Sequence, residues 1–412
     1  AQIVAIDTQD MAAIREEQLA NLSSTQTAAL TTAQLNALTS AQILTLPTDQ
    51  VQALTAGQLA SLAVDKVQLL NESQLTTLTS TQINSFTTSQ VSALVSDQIQ
   101  NLTTEQVSTL DTTKVAALTG TQLDAMTAAQ LEALTTAQIG ALSTNALATL
   151  NASDVSVFTT AQVKALTSTQ LPNLTTAQLT NFSTAQVAAL GTAQVQAMET
   201  ADVASLSAAQ AQALSTVQVA ALTTSQVQAI STAGISGLTT DAVKGLSNSQ
   251  LQAITTAGVA AMTTTQVGAL GTSQVVALTS TEAAALTTTQ VQALSTAQVK
   301  ALEVGDLAAM STAQIVAMGA DVAALSENAL SGLSTEQIGA MTGTQVTALS
   351  SDQLMSLSVD QMQGFTAAQA TAIETADLVR LSTAQIQGLS TDVIHALSTA
   401  QINNMTAEQV GA

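Results

Sequence analysis

Large aliphatic side chains recur along this chain at a fixed interval of eight residues. The series Ile6, Ile14, Leu22, Leu30, Leu38, Leu46 and Leu54 continues in steps of eight to Met318. It takes one step of seven to Leu325 and resumes through Leu333 to Met405. All 51 of these anchors are Leu, Met, Ile or Phe, and the four Phe of the protein (Phe86, Phe158, Phe182, Phe365) all stand among them. A slot reserved for one long apolar side chain, repeated over residues 1–412, predicts a single uninterrupted repeat array whose shared core is that slot. The seven-residue step at 319–325 is a register slip, with Gly319 placed to absorb a kink.

The polar positions between anchors predict what each octad folds into. In Thr31-Thr32-Ala33-Gln34-Leu35-Asn36-Ala37-Leu38, a hydroxyl residue is followed three positions later by Gln, the capping box of a helix start. With Thr31 as the cap, Gln34 is N3, Leu35 is N4 and the anchor Leu38 is N7. Leu30, just before the cap, pairs with Leu35 at N4 as a hydrophobic staple. Each octad therefore predicts a short helix that ends on its anchor and restarts at the next Ser or Thr. N2 and N6 are mostly small residues, which lets neighbouring helices approach closely. N5 varies most and is expected to face solvent. On this reading the N3 glutamine serves only its own cap, so Gln266→Ala should cost about 1 kcal/mol or less.

Two other folds compete with this one. In one continuous helix, eight residues overshoot two turns by about 80°, so the apolar stripe would spiral around the rod. A β-solenoid suits the Thr and Val content, but Leu35 and Leu38, three apart, would point to opposite faces of a strand. The acidic residues discriminate independently. In the helix register 26 of the 28 fall at the cap or at N1 to N3, where the helix dipole favours an anion, the exceptions being Asp124 and Glu132. The expected fold is therefore all-α, a solenoid of very short capped helices with two or three octads per turn and a β-solenoid as the alternative. Helices this short are unstable alone and must be held by their neighbours.

Composition removes classes of chemistry. There is no Cys, Trp or Tyr, and His395 is the only His, which excludes thiol nucleophiles, disulfide scaffolds and Cys-based zinc sites. Seven Lys and Arg against 28 acids give a formal net charge of -21, so nucleic acid and anionic membranes are not expected partners. No apolar stretch approaches the length of a membrane span, and no signal peptide is predicted. The chain begins at Ala1 rather than Met and starts and stops inside an octad, which suggests a processed product or a segment of something longer.

No residue stands out as catalytic, cofactor-binding or metal-binding. His395 sits at N5 with no carboxylate or Ser placed to form a catalytic set, and reads as a surface residue. Four octads carry acids at both cap and N3: Asp7 with Asp10, Glu199 with Asp202, Glu303 with Asp306, and Glu374 with Asp377. Calcium needs six or more oxygens and no EF-hand loop is present, so these pairs read as helix caps.

Strings such as Leu-Thr-Thr-Ala-Gln-Val followed by Ala-Leu, repeated without interruption, resemble the low-complexity Thr/Ala/Gln repeats of large bacterial surface and secreted proteins, of adhesin-like or haem-utilisation type. The resemblance implies an extracellular or cell-surface location. Axial ligands for haem in a pocket are not evident in the sequence. The expected function is non-enzymatic and structural: a filament, sheath, surface-layer subunit or adhesin stalk that self-associates. The alternative is a binding module presenting a regular Thr/Gln face to a polysaccharide, ice or a mineral.

Overall fold

The computed structural model describes residues 2–412, and its helices follow the octad. Thr32–Ala37, Ser40–Thr45 and Thr48–Ala53 each occupy N1 to N6 of one octad. Among the described residues there are 49 α-helices, three 3-10 helices and no β-strand, which rules out the β-solenoid.

The helix starts form as the capping box predicts. Thr31 is extended (φ -73, ψ 158), and its hydroxyl accepts a hydrogen bond from Gln34 N while its own amide donates to Gln34 Oε1 at 2.9 Å. The helix ends differ from expectation. Leu38 has already left the helix (φ -61, ψ 141), with its amide donating to Leu35 O. The anchor is therefore the first of two extended residues between helices, the cap being the second. A helix carried through the anchor would leave the chain no corner at which to change direction. The extended pair makes that corner while the anchor side chain stays inside.

Away from the first and last coils, helices pack against the helix three octads before and the helix three octads after. Thr32–Ala37 lies between Thr8–Met11 and Ala56–Ser61, and Thr232–Gly237 lies between Ala208–Ala213 and Thr256–Ala261. One coil is thus three octads, resolving the choice between two and three. The chain forms two compact units, one ending at Met198 and the other beginning at Glu199. Each is built from this three-sided coil. In both, N4 and N7 fill the centre: Leu35 and Leu38 are buried in the first unit, Val267 and Leu270 in the second. At N6 the coils meet most closely. A Cβ on Gly237 would lie 2.4 Å from Ala208 O, so only glycine permits that approach of backbone to backbone.

The slip is resolved by backbone conformation. Gly319 is the only residue with positive φ among those described (φ 57), and it opens a 3-10 helix, Gly319–Ala324. A glycine reaches this left-handed conformation without the steric cost of a Cβ.

Candidate functional site

The polar chemistry of the octad is concentrated in the N3 glutamine. Its Oε1 closes the capping box, and its Nε2 turns inward to the neighbouring coil. Gln34 Nε2 donates to Ile3 O and Ile6 O at 2.9 and 2.8 Å. Gln42 donates to Met11 O and Ile14 O, and Gln106 to Leu75 O and Leu78 O. In the second unit Gln266 donates to Ile235 O and Leu238 O at 2.8 and 2.7 Å. The acceptors are the N4 and anchor carbonyls 31 and 28 residues earlier. Helix C-termini leave carbonyls without intrahelical partners. One glutamine therefore begins its own helix and completes the end of another, one coil away. Gln34 and Gln266 are each only 2 % exposed, so an unmade bond here would be costly.

The capping box alone does not reveal this ladder, because Oε1 is all that a cap requires. The available signal was the choice of amide. Glu serves a capping box as well as Gln does, yet Glu282 is the only Glu at N3 in the chain. Across the slip the ladder survives with shortened reach: Gln337 donates to Leu307 O and Met310 O, 30 and 27 residues back.

Where N3 is not Gln, the structure compensates or leaves a gap. Lys66 and Lys114 stand at N3, and a lysine has only donors, so it cannot accept from its cap amide. That acceptor comes from N5 of an earlier octad. Ala63 N donates to Asn36 Oδ1 at 2.6 Å and Asp111 N to Asn84 Oδ1 at 2.8 Å. The same asparagines donate to Ser61 O and Thr109 O. N5 is therefore not everywhere a solvent position as the sequence suggested; at Asn36 and Asn84 its amide staples two coils. Gln68 and Gln252 do so through Ala93 O and Ala277 O.

Glu282 is the gap. Its Oε2 accepts from Thr279 N and Oγ1 at 2.7 and 2.8 Å, but Oε1 is buried with no hydrogen-bond partner. In the octad register a glutamine Nε2 at this position would donate to Leu251 O and Ile254 O, 31 and 28 residues earlier, as it does at Gln266. Glu282→Gln is expected to stabilise the protein by about 1–2 kcal/mol, because two acceptors gain a donor and an orphaned oxygen disappears. A thermal melt of the variant no higher than that of the parent would refute this.

Three of the four cap-and-N3 acid pairs make capping bonds, and Glu374 with Asp377 does not. Glu199 N donates to Asp202 Oδ2, Glu303 N donates to Asp306 Oδ2, and Gln9 N donates to the carboxylate of Asp7. Asp377 accepts from Ser351 Oγ. Burial pushes the Asp306 carboxyl above its ordinary value of 3.8, the charges of Glu303 and Glu282 push the same way, and the Glu303 amide opposes them. A folded-state value above the unfolded one means the contribution is full below the unfolded value and lost as pH rises through the folded one. Stability should therefore fall as pH rises from about 4 towards neutrality, and Asp306→Asn should flatten that component. Denaturant titrations of both proteins across this range check the sign.

His395 is exposed at N5 and makes no hydrogen bond or ion pair with any described residue. Among the described residues no three His, Cys, Asp or Glu side chains come together in a way that could hold a metal ion. Among the described residues no helix is long and apolar enough to cross a membrane. The candidate functional feature is thus the ladder itself rather than a pocket. Comparison with known proteins agrees with that extended character. A family model described as the ALTTAQ repeat matches residues 3–40, 69–104, 107–144, 136–168, 168–200, 195–232, 246–280, 319–351 and 370–407. No curated protein matches the chain. The matches together span more than half of the sequence, and the chain belongs to the ALTTAQ repeat family.

Proposed function

We propose that this protein is an extracellular structural element of a bacterium, an array that contributes to a filament, sheath, surface layer or adhesin stalk by self-association. The glutamine ladder is the observation that supports this reading. Where N3 is Gln, one coil completes the helix ends of the coil before it, so within each unit the repeat extends regularly. A second reading, a binding module for a polysaccharide, ice or a mineral, rests on the exposed hydroxyls that pair at cap and N2. Thr263 with Thr265 and Thr287 with Thr289 are examples. Electron microscopy of the purified chain separates the two. Filaments, sheets or bundles are expected; dispersed single particles that adsorb to polysaccharide, ice or mineral would favour the second.

A further inference from the structure

We infer that the second unit carries a seam, one side of the three-sided coil along which successive coils part more readily than on the other two. The inference does not depend on self-association. The helices Thr232–Gly237, Thr256–Ala261, Ser280–Ala285, Val304–Ala309 and Glu327–Leu330 stack one on the next along a single side. Their N3 residues are Gly234, Gly258, Glu282, Asp306 and Ala329, so five successive octads on this side lack the glutamine. Between Ser247 and Met318 the other two sides hold only glutamine at N3. Gln250, Gln266, Gln274, Gln290, Gln298 and Gln314 all donate to an anchor carbonyl of the coil before.

The anchor carbonyls that a glutamine would take on this side have no donor. Leu206 O, Ile230 O, Ile254 O, Leu278 O and Leu302 O accept no hydrogen bond from any described residue. A Cβ on Gly234 would stand 3.9 Å from Leu206 O and 2.7 Å from the Ile230 Cγ2 methyl. A branched anchor thus fills with apolar contact the space that a glutamine stem takes elsewhere, and Ile254 does the same at Gly258. These coils are joined by apolar contact without the inward bonds, so less is lost when they separate.

The seam is weakest at Glu282. That side chain is only 3 % exposed, and its Oε1 is buried with no hydrogen-bond partner. The next residue, at N4, is Ala283, where most octads place Val, Leu or Ile, so the apolar contact is smaller as well. One coil on stands the buried Asp306, on which the charges of Glu303 and Glu282 also bear. Like charges on neighbouring coils favour their separation.

The chain has no Cys, so one introduced thiol reports opening. Ala283 and Ala370 are both buried at N4. Ala283 follows Glu282, whereas Ala370 follows Gln369, which donates to Ile338 O and Met341 O. In the full chain the thiol of Ala283→Cys should react with a maleimide about tenfold faster than that of Ala370→Cys. Adding Glu282→Gln should slow the first reaction about tenfold and leave the second unchanged. Equal rates, or a rate at 283 that Glu282→Gln does not slow, would overturn the seam. Slowing of both thiols alike would place the effect on the whole unit and overturn it too. Hydrogen exchange of the parent reads its extent. The amides of Val259, Ala283 and Leu307 should be protected about tenfold less than those of Val267, Val291 and Ile315, which bond to their caps in the same way. Equal protection on all sides would mean that the inward bonds do not decide where the coils part, and no seam exists.

Discussion

Gln266→Ala is expected to destabilise its coil by about 3–5 kcal/mol, as much as removing the anchor side chain with Leu270→Ala. The capping box by itself assigns this substitution about 1 kcal/mol, since a poorer helix start is all it would cost. In the folded chain it strands Thr263 N, which donates to Gln266 Oε1 at 2.7 Å, and Leu238 O, and it leaves Ile235 O only its bond from Leu238 N. Each buried polar group left alone costs about 1–3 kcal/mol, and a cavity adds to that. Gln266→Glu keeps the acceptor for Thr263 N and removes only the inward donor, so its loss should be smaller. The exposed N5 residue Gln292 is the control, and Gln292→Ala should lie within about 0.5 kcal/mol of neutral. Hydrogen exchange of the coil around Gln266 is the suitable measurement, because repeat arrays open in segments. A loss of 1 kcal/mol or less for Gln266→Ala would mean that the inward bonds contribute nothing net.

Removing Thr255 to Gly258 should cost at least about 5 kcal/mol, whereas removing the whole octad Thr255 to Met262 should leave the array folded and close to its original stability per coil. The shorter deletion joins Ile254 to Val259 without a cap and puts every following side chain out of phase with the coil beneath. The longer one joins Ile254 to Thr263 in register. The deleted octad holds Gly258 at N3 and so contributes no ladder donor. Its own N4 and anchor carbonyls, which receive Gln290, leave with it. After the junction Gln266 reaches Val227 O and Ile230 O, Gln274 reaches Ile235 O and Leu238 O, and Gln290 reaches Leu251 O and Ile254 O. Three donors meet three pairs of acceptors before and after. Thermal melts and circular dichroism of the two variants decide the matter. Equal losses would show that the octad is a compositional habit and not a structural repeat.

What was legible in the chain was everything that lies within one octad. Thr31 and Gln34 are three residues apart, Leu30 and Leu35 five, and such spacings define a helix start whatever surrounds them. From them follow the all-α class, the restart at every Ser or Thr, and the placement of acids near helix N-termini. What only the tertiary structure decided depends on distances of a coil or more. The octad reads alike on all three sides, so nothing in it counts the sides. The partners of Gln266 lie 28 and 31 residues back and are backbone carbonyls, which every residue possesses and no sequence pattern marks. The exchange of Lys66 and Asn36 becomes visible only once the coil length sets them against each other. Local hydrogen bonds are written in side-chain spacing, whereas bonds between coils are made to the backbone and wait for the coil to close.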